Sequence, residues 1–257
     1  MRRLVLLSCV LLIAATAFAQ PAPAQAKYTW IRYVHVDAGR EADFLKYIAS
    51  FTKPMMEDLM RDGTVVAWGV ATPITHGDEQ WTHVVYVGMK DWSTAEAIGR
   101  RLDSMGAMPA ADQKRMWELA SSIREGSTRD VIIRHLVQSD APPMSQPKYI
   151  NADTYVLKAG RDADAVALFN DWAKPLFTAS QKMKTYVPIW GFSSRELGPE
   201  PWTHMVWMFM SDLAARDEMD AVQGMLDQRK LQGYMIRLND MTDVTKQQSQ
   251  ILRIITP

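Results

Sequence analysis

Trp81-Thr82-His83-Val84-Val85-Tyr86-Val87 is matched 121 residues later by Trp202-Thr203-His204-Met205-Val206-Trp207-Met208, so that one tripeptide opens two apolar runs. The residues upstream recur as well: Tyr28–Pro54 aligned with Tyr149–Pro175 without a gap gives 8 identities in 27 positions. Repetition over this length indicates two copies of one supersecondary unit. The sequence therefore predicts an internal duplication, and the fold follows from what one copy contains.

Each copy has the pattern of a strand, a helix, two strands, a helix and a strand, assigned from residue alternation and helical spacing. Pro54 lies within the first helical stretch and predicts a kink or a break near Lys53. Asp91 is a suitable N-cap for the second helical region, which Gly106–Pro109 interrupts. The predicted elements of the first copy are the strands Tyr28–Val36, Thr64–Ala71, Trp81–Met89 and Asp130–Val137 and the helical regions Arg40–Arg61 and Trp92–Ile123; the second copy ends on the strand Gln250–Ile255.

The order β-α-β-β-α-β is that of a ferredoxin-like unit, which carries its helices on one face of the sheet. Two copies in one chain can cover their open faces by packing them together into a closed barrel, which also removes exposed edges. The predicted fold class is therefore α+β, with two tandem ferredoxin-like repeats forming an intramolecular α+β barrel. The repeats are placed at residues 27–137 and 148–257, joined by a Pro-rich linker at 138–147.

The pattern Ala38-Gly39-Arg40-x-Ala42-Asp43-Phe44 after the first strand, with Lys53-Pro54 late in the first helix, resembles the dimeric α+β barrel superfamily. That superfamily includes antibiotic-biosynthesis-type monooxygenases and NIPSNAP-like proteins, and the resemblance is closest to its secreted members. It implies the barrel fold and no single catalytic signature. Haem-degrading members use an Asn, a Trp and a His; the comparable set here is Asn151, Trp202 and His204, but the Trp and His stand two residues apart instead of far apart, so no haem role is transferred.

The N-terminus predicts export. Arg2-Arg3 is a basic segment, Leu4–Ala15 is apolar, and Ala17-Phe18-Ala19 fits the small-residue rule for signal peptidase. The apolar run is shorter than the roughly 20 residues that a membrane-spanning helix needs. We therefore expect a signal peptide at residues 1–19, a flexible leader at 20–26, a periplasmic or secreted protein, and no membrane attachment after cleavage.

Composition excludes several classes of function. Cys9 is the only cysteine and lies in the predicted signal peptide, so the mature chain has no disulfide, thiol nucleophile or Cys-bound metal. Lys and Arg total 29 against 29 acidic residues with no basic block, which argues against a nucleic-acid partner. The histidines show no metal-ligand spacing, and no phosphate-binding loop is present. The sequence predicts no metal and no cofactor, and it is compatible with a homo-oligomer.

The duplicated tripeptide supplies the first candidate site. On a regular strand, Trp81 and His83 would share one face, and so would Trp202 and His204. One interpretation is a ligand pocket at the barrel mouth, where an indole stacks on a planar ligand and an imidazole hydrogen-bonds or moves a proton. The other is that these residues only fill the end of the sheet. Survival of the motif in both copies fits either interpretation.

The first strands of the two copies supply a second candidate site. Arg32 aligns with Asp153, and Trp30 with Asn151. If Arg32 and Asp153 faced the barrel interior, opposite charges in a poorly solvated space would favour an ion pair or a polar ligand. If they faced solvent, they would be ordinary ends of strands.

Three hypotheses of function follow. The first is a binding protein for a small, partly aromatic or apolar molecule held in the barrel near the two Trp-Thr-His strands, with Trp81, His83, Trp202 and His204 lining it. The second is a cofactor-free monooxygenase or isomerase in the same cavity, with His83 or His204 as general base and Arg32 stabilising an oxyanion. The third is an interaction module with a solid core.

Overall fold

The computed structural model describes residues 25–74, 81–139, 147–177, 189–214, 224 and 227–256. Eight antiparallel strands close into a barrel in the order β1-β3-β2-β8-β5-β7-β6-β4, which confirms the predicted fold class. The strands are β1 (Tyr28–Val34), β2 (Val65–Pro73), β3 (His83–Met89), β4 (Arg129–Gln138), β5 (Tyr149–Tyr155), β6 (Ile189–Leu197), β7 (His204–Met210) and β8 (Gln248–Ile254).

The two repeats share the barrel equally. Each contributes four adjacent strands, β4-β1-β3-β2 from the first repeat and β8-β5-β7-β6 from the second. The repeats are joined where β2 pairs with β8 and where β4 pairs with β6, both antiparallel. These two junctions hydrogen-bond both edge strands of each four-stranded sheet. The closed barrel therefore has no free strand edge that could pair with another chain.

The helices pack outside the barrel. Asp91 caps α3 by accepting a hydrogen bond from the backbone N–H of Thr94, and the chain breaks between α3 and α4, both as predicted. Among the described residues, no helix is long and apolar enough to cross a membrane. The helices whose two ends both lie among the described residues are α1 (Glu41–Tyr47), α2 (Lys53–Arg61), α3 (Trp92–Met105), α4 (Ala110–Ala120), α5 (Asp162–Leu168) and α6 (Gln228–Met241), with a short 3-10 turn at Val244–Lys246.

A π-helical turn links α1 to α2 near Lys53, where we predicted a kink or a break. The turn spans Ile48–Thr52, and the N–H of Lys53 bonds to the carbonyl of Ile48. Pro54 has no N–H to donate, and a wide turn just before it lets the helix continue past the missing bond. The second repeat has the same turn at Phe169–Ala173, ahead of its own Lys-Pro pair.

A hydrophobic cluster from both repeats occupies the barrel interior. Two aromatic rings reach it by lying over glycines of the neighbouring strand: Tyr86 over Gly69 and Trp207 over Gly191. A Cβ at either glycine would overlap the ring, which explains why both copies have a glycine at this position. The buried members of the cluster are Ile31, Tyr33, Ala71, Trp81, Val84, Val131, Ile133, Ile150, Ala152, Trp202, Met205 and Leu252.

The other face of each sheet packs against its own helices. Val34 and Val70 of the first repeat contact Phe44 of α1 and Ile48 of the π turn.

The predicted signal peptide (1–19), residues 20–24 of the leader and residues 140–146 of the linker lie outside the described residues. A ligand site in the described part of the chain therefore has three places to form: inside the barrel, or in the helix–sheet layer of either repeat.

Candidate functional site

The threonine of each Trp-Thr-His motif ties two strands together. The Thr82 N–H donates to the carbonyl of Val34 over 2.9 Å, and its hydroxyl accepts a hydrogen bond from the Val36 N–H over 2.8 Å. In the second repeat the Thr203 hydroxyl accepts from the Leu157 N–H over 2.9 Å. These bonds prolong the pairing of the first and third strands beyond the end of the ladder. The duplicated threonine thus has the same structural role in both repeats.

The tryptophan and histidine of the motif lie on opposite sides of the sheet, so the predicted shared face is wrong. Trp81 packs inside the barrel, its ring centroid 5.0 Å from that of Tyr33. His83 faces the helices, its ring 4.8 Å from that of Phe44. The strand alternation that we assumed begins only at His83, the first residue of β3, and Trp81 precedes it. The indole and imidazole therefore do not form a joint ligand surface.

The second copy has the same division. Trp202 belongs to the cluster in the barrel, whereas the His204 ring stacks on Phe192, 5.2 Å away on the helix side. His204 Nε2 lies 3.1 Å from a carboxylate oxygen of Asp162, at the start of α5. The aligned His83 Nε2 lies 3.6 Å from Glu41 in α1. The set Asn151, Trp202 and His204 is likewise divided between the two sides of the sheet.

Burial keeps both motif imidazoles neutral. Loss of water lowers the pKa of His83, and the nearby carboxylate of Glu41 offsets only part of this effect. The pKa of His204 is also lowered, mainly by burial and against the opposing charge of Asp162. Each imidazole thus packs as a neutral ring between sheet and helix, in contact with protein side chains.

A third histidine, which the sequence did not single out as a site, lies inside the barrel. His135 Nε2 is 2.9 Å from the hydroxyl of Thr29, and Nδ1 is 2.8 Å from the hydroxyl of Ser193. Trp207 Nε1 donates to the same Ser193 oxygen over 2.9 Å. Burial lowers the pKa of His135 to about 4. This polar group joins β1, β4, β6 and β7 within an otherwise apolar interior.

An open cavity of about 130 Å³ lies in the helix–sheet layer of the first repeat. Its floor is formed by β1 and β3, and its roof by α1, the π turn, α2 and α3. Most of its lining side chains are aliphatic, aromatic or thioether groups, and Arg32 is the one charged residue among them. The lining residues are Trp30, Arg32, Val34, Phe44, Tyr47, Ile48, Thr52, Met55, Met56, Val85, Val87, Ile98, Leu102, Ile123 and Thr128.

Arg32 stands at the solvent side of this cavity with a partner on the neighbouring strand. Its Nε and Nη2 donate to the two carboxylate oxygens of Asp130 over 2.8 and 2.9 Å, and the two side chains are 39% and 42% exposed. The Trp30 indole donates to the same carboxylate over 2.8 Å, and its ring lies 5.2 Å from the Arg32 guanidinium. Partial burial alone would raise the pKa of Asp130, but the bonds and charge of Arg32 lower it overall.

A tyrosine adds a second polar group to the cavity. Tyr47 and Thr52 line its helix side, one immediately before the π turn and the other at the end of that turn. Burial raises the pKa of Tyr47, although Arg32 and a hydrogen bond with Thr52 act in the opposite direction. The phenol therefore stays protonated, and it can offer one O–H donor to a ligand.

Arg32 and Asp153 do not meet inside the barrel. Arg32 pairs with Asp130 in the first repeat, and Asp153 accepts a 2.8 Å hydrogen bond from the Asn151 amide in the second. The register places Ser249 opposite Asp153, where the first repeat has Asp130 opposite Arg32. Both aligned residues project away from the barrel, because their neighbours Ile31 and Ala152 take the interior positions. The interior charge pair that we considered is therefore wrong.

Aromatic rings stack in the described part of the corresponding layer of the second repeat. Phe169 stacks on Phe192 with ring centroids 4.1 Å apart, and Phe177 lies 4.7 Å from Trp190. These positions align with smaller side chains of the first repeat: Ile48 with Phe169, and Met56 with Phe177. At these two positions the cavity borders a smaller side chain than the second repeat has.

Our reading of the sequence missed most of the cavity. It named Arg32 but neither its partner Asp130 nor the helix residues Tyr47, Ile48 and Met56. The alignment carried a signal at Ile48 and Met56, where the second copy has phenylalanine, whereas our candidates came from the recurring tripeptide and from the charged and polar residues of the first strands. Among the described residues, no group of three or more His, Cys, Asp or Glu is placed to hold a metal ion.

Comparisons with known proteins identify the fold. No protein-family model matches the chain, and no curated protein sequence matches it. The structure is similar to that of a candidate monooxygenase from Fusobacterium nucleatum (TM-score 0.60, 10% identity, covering 90% of this chain and 94% of that one). A candidate monooxygenase from Lactobacillus acidophilus is similar too (TM-score 0.58, 11% identity, 90% and 97% covered). A candidate chlorite dismutase gives a TM-score of 0.51 at 10% identity, with 90% and 96% covered. At these identities the likeness shows a shared α+β barrel fold.

Proposed function

We propose that the protein binds a small, largely apolar or aromatic molecule in the helix–sheet cavity of its first repeat. The observation that carries this proposal is the cavity of about 130 Å³. This cavity lies between the sheet and the helices. The sequence led us to expect the ligand on the other side of the sheet, inside the barrel. The class of ligand is unchanged, because thioether, aliphatic and aromatic side chains line most of the space.

The volume limits the size of the part that is buried. An apolar cavity of about 150 Å³ in another protein stays dry and binds benzene or xenon. The cavity here is slightly smaller, so it suits one six-membered ring or a short branched alkyl group. A longer ligand would extend past Arg32 into solvent, since that side chain is 39% exposed.

A second candidate is the cofactor-free monooxygenase or isomerase. Arg32 and Tyr47 favour it, because a guanidinium and a neutral phenol beside an apolar ring site can stabilise a developing oxyanion. The imidazole that we named as general base is less well placed: His83 is not among the lining residues, and Phe44 packs against it. Binding without turnover is therefore the function that the geometry supports better.

The interaction-module hypothesis requires a packed barrel, and a hydrophobic cluster does occupy the barrel interior. It gives no role, however, to the largely apolar cavity of the first repeat. We therefore rank this hypothesis below small-molecule binding.

Methionine-methyl NMR during a titration with toluene tests the proposal. Met55 and Met56 line the cavity, whereas Met205 lies in the barrel and Met208 in the helix–sheet layer of the second repeat. We expect toluene to shift the Met55 and Met56 methyl signals and to leave the other two unchanged. Signals would be assigned with single Met→Leu variants.

Two matched variants make the test specific. Ile48→Phe installs the ring that the second repeat carries at Phe169, and it should abolish the toluene shifts by filling the cavity. Phe169→Ile makes the opposite exchange in the second repeat and should leave the Met55 and Met56 shifts at their wild-type size. Toluene shifts that survive Ile48→Phe, or that appear first at Met205, would refute this site.

We also propose that the mature protein acts in the periplasm or outside the cell. The basic segment Arg2-Arg3, the apolar run Leu4–Ala15 and Ala17-Phe18-Ala19 support this proposal. The intact mass of protein recovered from the exported fraction should correspond to a chain that begins at Gln20. Full-length protein confined to the cytoplasm would contradict the proposal.

A further inference from the structure

The mouth of the cavity combines one positive charge with an apolar interior. Arg32 is the only charged side chain among the described lining residues, and Tyr47 lies near it with a protonated hydroxyl. A guanidinium has five N–H donors in a planar fork that fits a carboxylate. Asp130 takes the Nε and Nη2 donors, and no other hydrogen-bond acceptor for this side chain is recorded among the described residues.

Asp130 is held at this position by more than Arg32. Its carboxylate also accepts the Trp30 indole N–H over 2.8 Å, and it lies directly across the ladder from Arg32. If Arg32 changed its partner, Asp130 would keep its hydrogen bond to Trp30. It would also keep its contact with water, because its side chain is 42% exposed. An ion pair exposed to this extent contributes little to stability, so a competing anion can displace it at small cost.

The second repeat lacks this arrangement although it shares the fold. The positions that correspond to Arg32 and Asp130 are Asp153 and Ser249, an acidic and a neutral residue, and aromatic rings stack in the described part of the adjacent layer. The positive charge beside the cavity of the first repeat thus has no counterpart at these two positions of the second.

We propose that the ligand of this cavity carries an anionic oxygen group, such as a carboxylate, which replaces Asp130 as the partner of Arg32 while the apolar part of the ligand enters the cavity. The proposal rests on the proposed function, since it names the class of molecule that the cavity takes. Tyr47 supplies a further O–H donor to the anionic group. Asp130 competes with the ligand, holds the guanidinium at the mouth of the cavity and lowers the affinity for anions.

Three probes of similar shape separate the charge from the ring. Toluene has the ring alone, phenylacetamide adds a neutral polar group, and phenylacetate adds a carboxylate. Affinities from the Met55 and Met56 methyl shifts should place phenylacetate at least about tenfold above phenylacetamide, because a charge-assisted bidentate pair is roughly twice as strong as neutral hydrogen bonds. Equal affinities of the two polar probes, with toluene bound, would overturn this proposal and leave the cavity site intact.

Variants of Arg32 and of Asp130 should change the affinity for phenylacetate in opposite directions. Asp130→Asn keeps an acceptor for Trp30 but removes the competing charge, so it should strengthen phenylacetate binding about threefold, in line with an exposed ion pair. Arg32→Gln should remove the tenfold preference for phenylacetate over phenylacetamide. Arg32→Gln/Asp130→Asn leaves no unpaired charge and should show the same loss, which separates lost recognition from damaged folding.

Asp153→Asn is the matched control, because it makes the same change of charge at the position aligned with Arg32. It should leave phenylacetate affinity unchanged. An equal gain from Asp153→Asn and Asp130→Asn would mean that only the net charge matters, and it would overturn the direct role of Asp130. Failure of toluene itself to bind would overturn both this proposal and the proposed function.

Discussion

The helix–sheet layers of the two repeats have the same order of elements, but the first contains a cavity, and aromatic rings stack in the described part of the second. Four aligned positions carry an aromatic residue in the second repeat. The first repeat has an aliphatic or thioether residue at each of them. The aligned pairs are Ile48 and Phe169, Met56 and Phe177, Val34 and Tyr155, and Val70 and Phe192.

Other exchanges between the repeats run in the opposite direction, and one of them concerns the ring that covers the motif imidazole. In the first repeat the ring that covers the motif imidazole comes from the helix, as Phe44. In the second it comes from the strand, as Phe192, and the aligned helix residue is Ala165. The covered imidazole is thus common to both repeats, and the source of the aromatic ring is not. Features that both repeats share, such as the covered imidazole, belong to the fold. Features of the first repeat alone are the candidates for a binding site.

The largest expected effect comes from removing one side chain at the aligned π-turn position of each repeat. Phe169→Ala should lower the free energy of unfolding by about 3–5 kcal/mol, because it deletes a ring stacked on Phe192 in a packed layer. Ile48→Ala should cost about 2 kcal/mol, the low end for an aliphatic truncation, since part of its surface already borders the cavity. Urea denaturation of both variants gives the comparison. Equal losses would show that the two layers are packed alike.

A smaller effect concerns the barrel interior that the repeats share. The pKa of His135 falls from about 6.5 when unfolded to about 4 when folded. The unfolded chain therefore binds the proton more readily, and stability that is fully present above pH 6.5 is lost as the pH falls towards 4. The total loss amounts to up to about 3 kcal/mol.

The variant His135→Asn measures this contribution. It keeps a donor and an acceptor between Thr29 and Ser193, and it cannot titrate. Unfolding free energies at pH 7 and pH 4.5 should differ less in the variant than in the wild-type protein, while His83 and His204 contribute equally to both. The same pH dependence in the two proteins would contradict the assignment to His135.

The smallest effect should be equal in the two repeats. Thr82→Val and Thr203→Val each delete a hydroxyl that accepts a backbone hydrogen bond, from Val36 and from Leu157. Each change should cost about 1–2 kcal/mol, because it leaves a backbone N–H without its partner. Thermal or urea unfolding of the two single variants provides the measurement. A loss confined to one repeat would indicate that the motif has a role beyond tying the strands.

The fold could be predicted from the sequence because its determinants repeat. The element order, the N-cap at Asp91 and the break around Gly106–Pro109 all rest on local patterns, and duplication supplied each of the main strands twice. The site depends on which side of a sheet a residue faces. For Trp81 that side is set by the position at which β3 begins, and the sequence pattern gave no sign that pairing starts at His83.

The cavity could not be predicted from a sequence motif, and the physical reason is a different one. A space between Ile48, Met56 and Val85 is a property of packing, and no motif marks it. The pair of Arg32 and Asp130 depends on the register between β1 and β4, two strands far apart in the sequence. Of the cavity lining, the alignment marks Val34, Ile48 and Met56, where the second copy has an aromatic residue.

The most direct test of the account is a crystal structure of the protein with bound benzene. We predict electron density for one ring in the first repeat, between Val85 on the sheet and Ile48 and Met56 on the helices, with none beside Phe169 in the second repeat. Crystals of Ile48→Phe treated in the same way should show no ring there. Benzene bound inside the barrel, or beside Phe169 alone, would contradict the central claim that the first repeat holds the ligand site.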